Sequence, residues 1–149
     1  MLKRGYEGQN CSIARTLEIV GERWTLLIIR DVFLGLRRFD QLQESLGVAR
    51  NVLTDRLNRL VEEGILERVQ YSERPPRFEY RLTKTGRELN VALTALRQWG
   101  DAHLSEKPPR LLRRKADRKP VVAALVPRSA DVLRPDEVEL VPGPGLKTT

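Results

Sequence analysis

The stretch FDQLQESLGVARNVLTDRLNRLVEEG, residues 39–64, decides the fold. Phe39, Leu42 and Leu46 recur at helical spacing and stop at Gly47. Leu53, Leu57, Leu60 and Val61 recur in the same way and stop at Gly64. Between the two runs lies Gly47-Val48-Ala49, which reads as a tight turn. Two short helices joined by a glycine-containing turn of about three residues make a helix-turn-helix. If Leu53, Leu57 and Leu60 face the core, the second helix presents Arg50, Asn51, Thr54, Asp55 and Asn58 outward.

Beyond Gly64 the period changes from helical to alternating. Ile65 to Tyr71 reads as a strand, and Phe78, Tyr80 and Leu82 alternate with Arg77, Glu79 and Arg81 as a half-buried strand. Ser72-Glu73-Arg74-Pro75-Pro76 between them is a stiff, basic hairpin tip, so the pair forms a wing. Thr83 is expected to cap a long helix over Lys84 to Leu104, with Leu89, Leu93, Leu96, Trp99 and Gly100 on its inner stripe. Pro108-Pro109 stops it. A basic tract, Arg110 to Lys119, follows, then a short apolar run from Val121 to Val126 and a further strand over Asp136 to Val141. Pro142-Gly143-Pro144-Gly145 is expected to end the order. On the N-terminal side, Arg23 to Leu34 reads as a buried central helix because Leu26-Leu27-Ile28-Ile29 is too apolar for a surface helix, with Gly35 at its end. Ser12 is expected to cap a preceding helix with Ile13, Leu17 and Val20 on one face, broken at Gly21.

The expected fold is therefore α+β, mainly α: a winged helix-turn-helix with a long C-terminal dimerisation helix and a basic C-terminal extension. Residues 1–105 form the winged domain, and residues 106–149 form the extension, with one β-hairpin and a disordered end.

Composition narrows the function. The chain has 149 residues, of which 40% are apolar and only 5% aromatic, so its core is largely aliphatic. The net charge of +7 favours polyanions, nucleic acid first among them. Part of that excess lies in residues 106–149, so the location of the arginines matters more than their total. No stretch reaches the ~20 apolar residues of a membrane span. Met1 to Tyr6 has no apolar run after its basic pair and is expected not to be an export signal. A cytoplasmic protein without membrane contact is the simplest fit. One cysteine and one histidine leave no ordinary metal site, and neither a phosphate-binding glycine loop nor a nucleophile motif is present. No enzyme activity and no cofactor are expected.

The outward face of residues 50–58 suits base edges in a major groove. Arginine matches guanine O6/N7 and asparagine matches adenine N6/N7. Asp55 can accept from cytosine N4, or pair with Arg56 or Arg59 on the protein. Thr54 adds a neutral phosphate contact. Arg74 and Arg77 flank the prolines of the wing and suit a minor groove or phosphates; Arg37 and Arg38 are candidate phosphate clamps. A winged helix that docks proteins instead of double-stranded DNA is the alternative, and it would carry fewer arginines and more apolar surface at these positions.

Five blocks in order then resemble one family. These are Gly21-Glu22-Arg23-Trp24-Thr25, Gly35-Leu36-Arg37-Arg38-Phe39, Leu53-Thr54-Asp55-Arg56-Leu57, Pro75-Pro76-Arg77-Phe78-Glu79-Tyr80 and Leu82-Thr83-Lys84-Thr85-Gly86. The chain is similar to HxlR-type winged-helix transcriptional regulators, related to the MarR group, from about Cys11 to Gly100. The resemblance implies a homodimeric regulator, usually a repressor, on a pseudo-palindromic operator. It places the dimer contact on Ile13, Leu17 and Val20 and on Leu89, Leu93, Leu96 and Trp99. Two-fold pairing would bury apolar faces that otherwise lack a partner. Ala49 departs from the family, where serine is common, and cannot cap the helix that follows it.

The resemblance also draws attention to Cys11, since some relatives sense oxidants or electrophiles through a cysteine at this place. A helix N-terminus favours the thiolate; the plainer role is a small, half-buried apolar side chain near a dimer contact. A small-molecule effector is the other candidate signal. Trp24 is expected in the core, and His103 in a structural or exposed place. Arg113-Arg114-Lys115 is expected as a solvated run, with added nonspecific DNA contact as its functional alternative.

Overall fold

The computed structural model describes residues 5, 6 and 8–147. The Met1 to Arg4 stretch, on which the expectation about an export signal rests, lies outside them. The chain divides into two compact units, Met1–Arg87 and Glu88–Thr149. The sequence division at 105/106 falls at the other end of the helix that opens the second unit.

The first unit starts with α1 (Ser12–Val20) and α2 (Thr25–Phe33). Cys11, not Ser12, stands at the N-cap of α1, and no side chain caps that end. Ser12 lies one residue inside the helix, where its backbone carbonyl accepts from the Thr16 hydroxyl at 2.8 Å. α2 begins two residues later than expected because Trp24 takes a left-handed conformation, φ +80°. The Trp24 ring is half-buried, and the Arg23 guanidinium lies 5.2 Å from its centroid. Ile28 and Ile29 are fully buried, which makes α2 the central helix, while Leu27 points outward at 40% exposure.

Helices α3 (Phe39–Leu46) and α4 (Arg50–Glu62) form the helix-turn-helix. Gly47 takes φ +63° between them, a conformation open to glycine and strained for other residues. Leu42, Leu53, Leu57 and Leu60 are each fully buried. Asp31 of α2 is also buried, and its carboxylate is satisfied: it accepts from Arg30 Nε at 2.9 Å and from the Ser45 hydroxyl of α3 at 2.7 Å. This polar tie fixes α3 on α2.

The wing is an antiparallel pair, β1 (Leu66–Glu73) and β2 (Pro76–Leu82). Its register runs from Leu66 opposite Leu82 to Glu73 opposite Pro76, with an irregularity between Gln70 and Ser72. Arg74 and Pro75 make the tip. The expected long helix after Thr83 is instead two helices, α5 (Lys84–Arg87) and α6 (Asn90–His103). Thr83 does cap the first of them, its Oγ1 accepting from Gly86 N at 3.0 Å. At the break Leu89 takes ψ −7°, flatter than the helical value of about −42°.

In the second unit, α6 precedes β3 (Arg110–Arg114) and β4 (Val138–Pro142), which pair antiparallel with Arg110 opposite Pro142. Of the run Arg113-Arg114-Lys115, expected to be solvated, Arg113 and Arg114 lie half-buried in β3, and Lys115 follows it exposed. Arg113 Nε bonds Glu139 Oε1 at 2.6 Å across the pair, and Arg114 bonds Asp117 in the following turn. The apolar run Val121 to Val126 forms no named strand. Its start lies along the other edge of β3, where Val121 N donates to Leu112 O at 3.0 Å. Among the described residues, no helix is long and apolar enough to cross a membrane.

Candidate nucleic-acid interface

Burial of Leu53, Leu57 and Leu60 orients α4. Arg50, Asn51, Thr54, Asp55 and Asn58 are then all exposed, and the five line one shallow concavity on its outer side. The Thr54 hydroxyl donates back to Arg50 O at 2.9 Å, which leaves its lone pairs outward as acceptors. Asp55 Oδ2 pairs with Arg56 at 2.6 Å. Arg56 also reaches Glu22 at 3.1 Å and the Arg23 carbonyl at 3.2 Å, so it ties α4 to the loop before α2. Ala49 caps α4 without a side-chain bond, which leaves the first amides of the helix without that partner.

Beside the α4 face lies a groove of about 440 Å³ between the start of α3, the start of α4 and the wing. Arg38, Arg50, Arg68 and Arg77 line it against one lining carboxylate, Asp40. Two of these guanidiniums rest on aromatic rings: Arg50 lies 4.8 Å from the Phe39 centroid and Arg68 lies 3.7 Å from that of Phe78. Such stacking holds the cation by its face and leaves its N–H edge to meet an acceptor. The wing is anchored at its base, where Tyr80 N donates to Arg37 O at 2.7 Å. The Arg38 amide donates to Gln41 Oε1 at 3.2 Å, which holds the first turn of α3.

The structure therefore brings Arg38 and Arg77 together with Arg50. Arg37 and Arg74 are exposed but lie outside the groove lining, Arg74 at the wing tip. Arg68 and Tyr71 line the same groove and were missed by sequence reading. The available signal was a cation on one strand and an aromatic on the next, but using it requires the register that sets Arg68 opposite Tyr80 and diagonal to Phe78.

The residues expected at a dimer contact divide by exposure. Ile13, Leu17, Leu96 and Trp99 are exposed at 70%, 37%, 56% and 59%, whereas Val20 and Leu93 are buried and Leu89 is half-buried. Cys11 is exposed. The His103 ring lies 4.8 Å from that of Trp99. Among the described residues no group of three His, Cys, Asp or Glu side chains is placed to hold a metal ion.

Comparison with known proteins agrees with this architecture. Residues 19–108 match the family model described as HxlR-like helix-turn-helix. An uncharacterised HTH-type transcriptional regulator of Mycobacterium tuberculosis, Rv3095, is 45% identical over 149 residues, covering 98% of this chain and 93% of the relative. The crystal structure of PA1607, a candidate transcription factor, superposes with a TM-score of 0.71 at 41% identity, covering 82% of this chain and 87% of the other. The reduced form of the Bacillus subtilis transcriptional regulator YodB superposes with a TM-score of 0.55 at 27% identity, covering 65% of this chain and 97% of the other. Rv3095 and YodB are both named transcriptional regulators.

Proposed function

The chain belongs to the HxlR-like helix-turn-helix family of transcriptional regulators, and from that premise we propose that it represses transcription as a homodimer on a pseudo-palindromic DNA operator. The observation that carries this is the continuity of the polar α4 face with the arginine groove, since Arg50 belongs to both. The polar face suits base edges, and the groove suits the phosphates that flank them. A docking module for proteins would replace these arginines with apolar surface. Exposed Ile13, Leu17, Leu96 and Trp99 support self-association, because apolar side chains of this size gain by leaving water.

A redox signal through Cys11 fits the same scheme. The thiol is exposed at the N-cap of α1, and the structural neighbours include the redox regulator HypR in its oxidised form. The chain holds no second cysteine, so an oxidant would join two Cys11 residues across the dimer or attach a small thiol. The deciding experiment is selection of bound duplexes from random DNA by the full chain. A two-fold motif with half-sites about 10 base pairs apart is expected. Recovery of unenriched sequence would overturn the proposal. Mild oxidation of Cys11, followed by mass spectrometry and DNA titration, tests the signal: modified protein with unchanged affinity excludes it.

A further inference from the structure

The second unit holds a cavity of about 320 Å³ that DNA recognition does not use. α6 forms one wall, with Arg97 and Asp101, and β3 with the turn after it forms another, with Arg110, Arg113 and Arg118. Pro120, Val121 and Val141 make the surface between them apolar. Four arginines thus line the cavity against one lining carboxylate. Arg113 is engaged by Glu139 at 2.6 Å and Arg97 also has a partner, and Arg110 and Arg118 add positive charge beside an aliphatic surface. That combination fits an organic anion with a compact apolar body.

Arg118 strengthens the case. Its backbone sits at φ +61°, a left-handed conformation that glycine or asparagine adopts more readily. An arginine held there places a guanidinium on the cavity at a cost in backbone strain, and strain of this kind gathers at ligand clamps. The wall at Pro120 to Ala123 is clipped to α6 by the Gln98 amide, which donates to Ala123 O at 3.1 Å and accepts from Ala123 N at 2.9 Å. The same segment is held to β3 where Val121 N donates to Leu112 O at 3.0 Å, so the wall is fixed on both sides and the cavity has a defined shape. The size is also right: a dry cavity of about 150 Å³ holds benzene, and pockets for small molecules begin near 300 Å³.

We infer that this cavity binds a small aromatic monocarboxylate, with the ring against Val121 and Val141 and the carboxylate at Arg118. Use of such a ligand as the regulatory signal rests on the DNA-binding proposal above. The binding itself does not, and it is measured without DNA. The test is calorimetric titration of the full chain with benzoate, with benzamide and inorganic phosphate as comparisons. Saturable binding at one benzoate per chain is expected, about tenfold or more tighter than either comparison. Arg118→Gly removes the guanidinium while easing the backbone, so it should keep the melting temperature and lose most of the affinity. Val122→Glu should act likewise, because Val122 lines the cavity at 71% exposure and tolerates a charge that repels the ligand. Benzamide or phosphate binding as tightly as benzoate, no saturable binding, or unchanged affinity in both variants would each overturn the inference. None of those outcomes alters the operator selection, and failure of that selection leaves this titration unaffected.

Discussion

Among the described residues, Arg50 and Arg68 are positioned by aromatic rings, Phe39 and Phe78, and not by carboxylates. Both cations are therefore available to phosphates, and Arg68→Ala should weaken DNA binding broadly while leaving sequence preference intact. Arg74→Ala at the wing tip should do the same and reduce the salt slope by about 1, measured by titration at several salt concentrations. Asn51→Ala belongs to the other class. It should cost about 1–3 kcal/mol on the preferred operator and relax specificity at one position, read by repeating the duplex selection. Equal losses on all sequences for Asn51→Ala would place it on the backbone. Asp31 illustrates a residue whose work is structural: Ser45→Ala removes a charge-assisted bond to a buried carboxylate and should lower stability by about 1.5–3 kcal/mol in chemical denaturation.

Elements respond to their glycines in two ways. A Cβ on Gly86 would lie 2.1 Å from the Ile65 carbonyl oxygen, backbone that cannot step aside. Gly86→Ala should therefore displace α5 from the wing base and cost about 1–3 kcal/mol or more. Gly47→Ala meets no atom within 4 Å and suffers only from φ +63°, an expected loss of about 1–2 kcal/mol. A denaturation series in which Gly47→Ala proves the worse would refute this ranking. In the turn after β3, the hydrogen bond from Arg114, then that from the Lys119 amide, holds the Asp117 carboxyl below its usual range. A lowered carboxylate adds stability above its ordinary pKa of about 3.9 and loses it as pH falls through the lower folded value. The Lys119 amide resonance should accordingly shift with a midpoint under that ordinary value, and Asp117→Asn should abolish the shift. A midpoint at or above it would contradict the pairing.

At the scale of the whole molecule the family model spans residues 19–108 and so crosses the boundary between the two compact units at Arg87 and Glu88. The proposed homodimer draws on exposed side chains from both. Leu96→Glu combined with Trp99→Ser should yield monomers in sedimentation and weaken operator binding, while circular dichroism stays unchanged, since neither side chain is buried. Dimers that persist would move the interface elsewhere. Val20 and Leu93, grouped with the dimer contact by the family resemblance, are already buried within the single chain, so the proposed interface falls on their exposed neighbours.

Spacing along the chain was enough to place the helix-turn-helix, the wing and the polar face of α4. Each depends on a period of about 3.6 or 2 and on glycines at helix ends, which are local properties. Tertiary structure decided which faces meet. The register of β1 on β2 put Arg68 over Phe78, and the predicted long helix is divided into α5 and α6. The ladder of β3 with β4 joined residues far apart in sequence and made Arg110 to Arg114, the start of the basic tract, a strand that lines a cavity. Local periodicity names the side of an element a residue occupies. Only the closing of the chain on itself determines what stands opposite.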